Sequence, residues 1–174
     1  MRSEALARVQ QGLNAGRLVA EQNLHLTLGF LDEVPEAELT ELHDGLSALH
    51  EPAPKLQVRG LDVFGGSRPR LLYARVEADE ALKALRGKVL REIRAAGIEL
   101  KRERFRPHIT LARFRYGMMP DEQAKLGRFL QEVGNASLPA FYPAGFGLYA
   151  SSLRPDGAVH ELLAAYPLIG GGEA

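Results

Sequence analysis

The sequence predicts an α+β fold of antiparallel sheets with helices packed against them. Three observations carry that prediction. Helix-period and strand-period segments interleave along the chain. The stretch Gly65-Gly66-Ser67-Arg68-Pro69 joins two strand-like runs as a hairpin loop, which argues against a purely parallel sheet. A length of 174 residues, 45% of them hydrophobic, suffices for one core or for two lobes sharing one.

The helices follow from apolar spacing. Leu39, Leu42, Leu46 and Leu49 recur at three- and four-residue intervals behind Pro35 and predict a helix over 36–50. Leu82, Leu85, Val89, Ile93 and Ala96 repeat the pattern, with Asp79 as N-cap and Gly97 as the stop, and predict a second over 80–96. A third spans 121–133, opened by Pro120 and closed by Gly134. A fourth covers the first residues, through Leu6, Val9 and Leu13.

Strand-like runs occupy 23–31, 56–64, 71–76, 105–114, 146–151 and 159–168. Gly65-Gly66 lacks the strand, GxxxxGK[ST], helix context of a phosphate loop and reads as a turn. The segment 170–174 reads as a flexible tail.

Composition narrows the chemistry. The absence of cysteine excludes a disulfide framework, a thiolate nucleophile and Cys-ligated metal sites. A net charge of zero argues against coating nucleic acid by bulk electrostatics, yet it averages over unequal regions. Residues 86–115 hold 10 basic side chains against 3 acidic, whereas 1–50 hold 3 basic against 8 acidic. No stretch resembles a secretory signal or a membrane span, so the expected location is the cytoplasm.

The informative feature is an element that occurs twice, His25-Leu26-Thr27-Leu28 and His108-Ile109-Thr110-Leu111. With only 5 His and three Thr in the chain, random placement would give about 0.09 His-x-Thr pairs. Around each copy apolar and polar residues alternate, so His and Thr share one strand face while their apolar neighbours anchor the strand. Recurrence at half the chain length suggests two similar lobes whose His-Thr faces meet across a cleft.

Phosphodiester hydrolysis needs a base for the attacking oxygen and an acid for the leaving oxygen. Two imidazoles can hold these opposite protonation states at neutral pH, and two hydroxyls can donate to phosphoryl oxygens as charge grows on them. A single His-x-Thr on a strand is usually structural, but two copies with matching flanks favour a site. A metal site fits less well, because Thr is a poor zinc ligand.

These elements, in the phrases Glu21-Gln22-Asn23-Leu24-His25-Leu26-Thr27-Leu28-Gly29-Phe30-Leu31 and Phe105-Arg106-Pro107-His108-Ile109-Thr110-Leu111-Ala112-Arg113, resemble the signatures of the 2H phosphoesterases. Within that superfamily the chain is similar to the RNA 2′,3′-cyclic phosphodiesterases, also called LigT-like 2′-5′ RNA ligases. The stretch Leu148 to Val159 carries the same likeness, which covers residues 16–168. The resemblance implies a single bilobal domain with two antiparallel sheets flanked by helices and a pseudo-twofold cleft between them. It implies no metal or other cofactor, and RNA ends bearing a 2′,3′-cyclic phosphate as substrate of a monomeric enzyme. In the roles it implies, His108 is the general base on water, His25 the general acid toward the 3′ oxygen, and Thr27 and Thr110 hold the phosphoryl oxygens. The resemblance also implies reversible 2′-5′ RNA ligation. Alternatives are a 2H phosphodiesterase acting on another ester, such as a 2′-5′ oligonucleotide or an ADP-ribose cyclic phosphate, and a non-catalytic module that binds RNA ends.

Arg113 matches a family arginine placed near the substrate phosphate. Its odd offset from His108 puts it on the opposite face of a regular strand, so either a bulge or the strand end re-aims it, or it is structural. The apolar strand that usually precedes the first helix in the family is missing, so the N-terminus is incomplete or another segment fills that sheet position. His43, His50 and His160 read as solvated or structural, and Phe114 and Tyr116 as packing residues with the capacity to stack a base. Arg102, Arg104 and Arg106 are either an RNA-attracting stripe or a solvated strand face.

Overall fold

The strongest helix signal in the sequence gives the best-defined helix. In a computed structural model that describes residues 2–115, 118–154 and 157–172, the predicted 80–96 helix runs over Glu80–Ala95. The Asp79 carboxylate accepts from the Leu82 amide at 2.7 Å, and the apolar stripe Leu82, Leu85, Val89 and Ile93 is buried. Gly97 ends it at φ 82°, a backbone conformation that favours glycine, and the Ile98 amide turns back to the Ile93 carbonyl at 3.1 Å.

The remaining helices are α1 (Arg2–Gln11), α2 (Glu36–Ser47) and α4 (Pro120–Val133), with Glu80–Ala95 as α3. Helix α2 stops short of the expected residue 50. Its last turn tightens into a three-residue bond from the Leu49 amide to the Leu46 carbonyl, and Pro52 follows. The strands are β1 (Arg17–Leu18), β2 (Val58–Phe64), β3 (Leu71–Val76), β4 (His108–Arg113), β5 (Gly145–Arg154) and β6 (Gly157–Pro167). Among the described residues, no helix is long and apolar enough to cross a membrane.

Two compact units partition the chain. The first comprises Met1–Thr27, Gln57–Glu77 and Arg106–Ala140. It holds an antiparallel sheet in the order β1-β4-β3-β2, with α1 packed on β4 and α4 on β2. The predicted hairpin is the β2–β3 turn, where Gly65 and Gly66 adopt φ 110° and 56°. One face of this sheet carries Leu61, Leu72, Ala74, Val76, Ile109 and Leu111, all buried.

The second unit comprises Leu28–Leu56, Ala78–Phe105 and Phe141–Ala174. Its core joins Leu42 and Leu46 of α2, Leu85, Val89 and Ile93 of α3, and Leu148, Tyr166 and Leu168 from the region of the β5–β6 hairpin. His43, expected to be solvated, is exposed yet its Nδ1 lies 3.0 Å from the hydroxyl of the buried Tyr166. The Gly172 amide donates to the Tyr142 carbonyl at 3.2 Å.

Three strand expectations change. The run 105–114 becomes a strand only at His108, because Pro107 has no N–H to give the ladder; Arg102, Arg104 and Arg106 are therefore exposed but not strand residues. The run 23–31 is not a strand. A 3₁₀ turn, Glu21–Asn23, leads into extended chain that meets β4 at a single bridge, Leu26 to Ile109. Phe30, assigned to the apolar face, is 69% exposed. Its neighbour Gly29 lies within the second unit, where an added Cβ would sit 3.2 Å from Leu90 and Ile93.

The third change is β1, a two-residue strand with no periodicity to reveal it. It pairs Arg17 with Arg113 and Leu18 with Ala112, so β4 is covered along that edge. Tyr116 lies outside the described residues, as do Pro155 and Asp156 of the third signature phrase.

Candidate active site

The register of the four-stranded sheet decides which side chains share a face, since directly paired residues point the same way. Ile109 pairs with Ala74 on the buried face, Thr110 with Tyr73 and His108 with Arg75 on the other. Leu26 pairs with Ile109, so it belongs to the buried face and its neighbours His25 and Thr27 to the face of His108 and Thr110. Carrying the antiparallel register one residue each way sets His25 opposite Thr110 and Thr27 opposite His108. Both His-Thr pairs thus lie in the first unit, side by side on one sheet, and not one in each unit.

Arg113 joins them through a β-bulge. Tyr73 pairs with Thr110 but Leu72 pairs with Ala112, which leaves Leu111 as an extra residue in β4. Leu111 and Ala112 are both fully buried, and the alternation is reset by one. Arg113 then pairs with Leu71, on the face of Tyr73, and is exposed on the same side as His108. The parity conflict in the sequence is resolved by this bulge.

The two imidazoles are held alike. His25 Nδ1 lies 2.7 Å from the Asn23 carbonyl oxygen, and His108 Nδ1 lies 2.7 Å from the Arg106 carbonyl oxygen. A carbonyl only accepts, so each Nδ1 carries hydrogen and donates it. In the neutral ring the lone pair is then on Nε2. The same anchor persists when Nε2 is protonated, so either ring can serve as base or acid without reorienting. His25 and Thr27 are exposed, while His108 and Thr110 are half-buried.

Sequence reasoning missed the residues that surround His108. Phe64 and Tyr73 stack with ring centroids 4.2 Å apart, and the His108 ring stands nearly perpendicular to both, at 5.2 and 5.3 Å. Tyr73 is buried, and its hydroxyl bonds to Asp62, its cross-strand partner in β2. Burial, then the Asp62 charge and that bond, raise the Tyr73 pKa above the ordinary phenol value, while Arg106 and Arg75 oppose the rise. The signal available beforehand was the alternation of Leu71, Tyr73 and Arg75 with Leu72, Ala74 and Val76, next to a hairpin turn. It gives the face of Tyr73 but not its neighbour across the sheet.

Phe114, half of the suggested base-stacking pair, is buried against Gly16 and serves packing. Among the described residues, no group of three or more His, Asp or Glu side chains converges to hold a metal ion. A pocket of about 230 Å³, lined by His50, Tyr166 and Ile169 among others, lies in the second unit and contains none of the His-Thr residues.

Comparison with known proteins identifies the family. The profile of the 2'-5' RNA ligase superfamily matches residues 2–133. An RNA 2',3'-cyclic phosphodiesterase of Thermotoga maritima is 30% identical over 92% of this chain and 84% of its own length. A protein of the same name from Geobacillus stearothermophilus is 33% identical over 87% of the chain, which spans only 48% of that relative. The crystal structure of TT0787 of Thermus thermophilus superposes with a TM-score of 0.77 at 28% identity, covering 97% of this chain and 92% of that one. E. coli LigT, solved in complex with 3'-AMP, shares the fold at a TM-score of 0.67 and 24% identity, with 94% and 92% covered. On the strength of the profile match and the Thermotoga relative, the chain belongs to the 2'-5' RNA ligase superfamily.

Proposed function

We propose that this chain hydrolyses the 2′,3′-cyclic phosphate at RNA ends to a 2′-phosphate without a metal, with His108 as general base and His25 as general acid. The observation that carries the reading is the antiparallel bridge Leu26 to Ile109, which turns both His-Thr pairs onto one sheet face. The relatives' name, RNA 2',3'-cyclic phosphodiesterase, supplies the substrate class.

In this mechanism a water oxygen attacks phosphorus as its proton passes to Nε2 of neutral His108. The bond from phosphorus to the 3′ oxygen breaks, and that oxygen takes the proton from Nε2 of charged His25. The products are a 3′-hydroxyl and a 2′-phosphomonoester, with the protonation states of the two rings exchanged. Thr27 and Thr110 donate to the non-bridging oxygens, where such donors contribute about 2 to 4 kcal/mol in the transition state. Arg113, brought to this face by the bulge, offers a planar donor fork to a phosphate of the substrate. A terminal 5′-hydroxyl in place of water follows the same scheme, giving its proton to His108 as the 3′ oxygen leaves, and produces a 2′-5′ linkage.

The test is turnover of cytidine 2′,3′-cyclic monophosphate with the phosphate position of the product identified. The expected product is the 2′-phosphate, the rate persists in excess EDTA, and His25→Ala or His108→Ala each lowers it by at least ~100-fold. A folded variant of either kind with near wild-type turnover refutes the assignment.

A further inference from the structure

The pairing of Arg17 with Arg113 places two guanidinium groups directly opposite one another on adjacent antiparallel strands. Residues so paired have Cβ atoms about 4.5 to 5.5 Å apart, and like charges in that position repel. Both arginines are exposed, and among the described residues neither has an ion-pair partner. The register puts Arg17 on the face of Arg113, and therefore on the face of His108 and Thr110.

A two-residue strand could avoid this repulsion by fraying, but this one is fastened. Gln10, 4% exposed, donates from Nε2 to the Val19 carbonyl at 2.9 Å and to the Leu111 carbonyl at 2.7 Å. The Val19 amide donates to the same Leu111 carbonyl at 2.8 Å. On the other side of Arg17, Gly16 at φ 69° brings the chain so close to Phe114 that an added Cβ would lie 2.4 Å from its ring. A buried amide and a left-handed glycine thus hold a repulsive pair in register beside the His-Thr residues. An anion between the two forks would turn the repulsion into attraction.

We infer that Arg17, together with Arg113, forms a second anion subsite that takes the backbone phosphodiester preceding the terminal nucleotide, so that the preferred substrate is an RNA oligonucleotide over a mononucleotide. Arg113 lies three residues beyond Thr110, about 10 Å along an ideal strand and less across the bulge, on the side away from His108. A chain whose terminal phosphate lies at the His-Thr pairs reaches this end of β4 with its next phosphate. This inference rests on the proposed function for the identity of the ligand, and Arg17 acts in binding, not in the proton transfers.

The test compares wild type and Arg17→Ala on cytidine 2′,3′-cyclic monophosphate and on a five-nucleotide RNA ending in a 2′,3′-cyclic phosphate, with Arg128→Ala as a control for loss of an exposed positive charge. Arg17→Ala should lower the ratio of oligonucleotide to mononucleotide kcat/KM by at least ~5-fold, and Arg128→Ala should leave that ratio unchanged. In parallel, binding of a five-nucleotide RNA with a 3′-phosphate is followed by fluorescence anisotropy against salt. Loss of one single-strand phosphate contact reduces the slope of log K against log salt by about 0.7 in Arg17→Ala. An unchanged ratio with an unchanged salt slope overturns the subsite. A wild-type protein that turns over neither ester, but whose RNA binding weakens with the lower slope in Arg17→Ala, retains the subsite and overturns the hydrolase reading instead.

Discussion

Among the described residues, Leu26 and Ile109 form the one backbone bridge between the two His-x-Thr elements, and both side chains point away from the site they create. Ile109 is 5% exposed and lies in β4, whereas Leu26 is half-buried in chain that is otherwise unpaired with the sheet. The bridge at Leu26 therefore sets which face His25 and Thr27 present. Leu26→Ala is expected to cost less stability than the roughly 2 to 5 kcal/mol of a fully buried Leu. It should nonetheless lower kcat by ~10-fold or more, since a displacement of about 1 Å can cost about 10²-fold. Urea unfolding and steady-state kinetics on one preparation check both halves; a stability loss with unchanged kcat would show that the bridge is not what orients His25.

The hydroxyls can be separated from the shapes that carry them. Thr27→Val and Thr110→Val keep the branched side chain that suits an extended backbone and remove only the donor. Each is expected to reduce kcat about 10²-fold while leaving KM within a few-fold, because the bond strengthens as charge grows on the phosphoryl oxygen. Thr110→Ser should recover most of the rate. A pure KM effect would place the hydroxyls in ground-state binding.

How much of this site was legible beforehand follows from which parts have a period. The His-Thr faces were readable because alternation needs only the local sequence, and α3 was readable because its cap, stripe and terminal glycine all agree. The parity of Arg113 left a bulge, a strand end and a structural role open, and the bulge at Leu111 is set by pairing with β3, a partner distant in sequence. Strand β1 was illegible, since two residues carry no period and its register is fixed by Gln10 from α1. The distribution of the His-Thr elements was misread for a similar reason: recurrence at half the chain length indicates two copies, not whether they pair with each other.

Gly16 tests whether β1 is held as tightly as its contacts imply. Gly16→Ala asks a residue at φ 69° to accept a Cβ 2.4 and 2.6 Å from Phe114 ring atoms and 2.9 Å from the Arg113 carbonyl oxygen. Backbone strain contributes about 1 kcal/mol, and the clash adds to it. A loss of ~2 kcal/mol or more is expected, which for a chain of this size lowers Tm by about 4 to 8 °C. An unchanged melting temperature would mean that Phe114 moves aside freely, and β1 would lose its claim to a fixed register.

Tyr73 separates ring packing from hydrogen bonding beside His108. Tyr73→Phe keeps the stack on Phe64 and the perpendicular contact with His108 while removing the bond to Asp62, so activity should stay within ~3-fold and stability fall by about 1 kcal/mol. Tyr73→Ala removes the ring, with a cost of ~3 to 5 kcal/mol and a fall in kcat of at least ~10-fold, because His108 loses one of the two rings flanking it. The two variants also differ from wild type in alkali. The Tyr73 pKa is raised in the folded state, first by burial and then by Asp62, so above the ordinary phenol value of about 10 the folded protein binds more protons than the unfolded chain. That contribution to stability is complete below about pH 10 and is lost as pH rises through the folded value. Tyr166, raised by burial, behaves in the same sense and remains in both variants. Urea unfolding from about pH 8 upward should therefore show stability declining more steeply in wild type than in Tyr73→Phe once pH passes about 10. Equal slopes would mean that the Tyr73 proton is not linked to folding, and that the bond to Asp62 is not what holds this ring against His108.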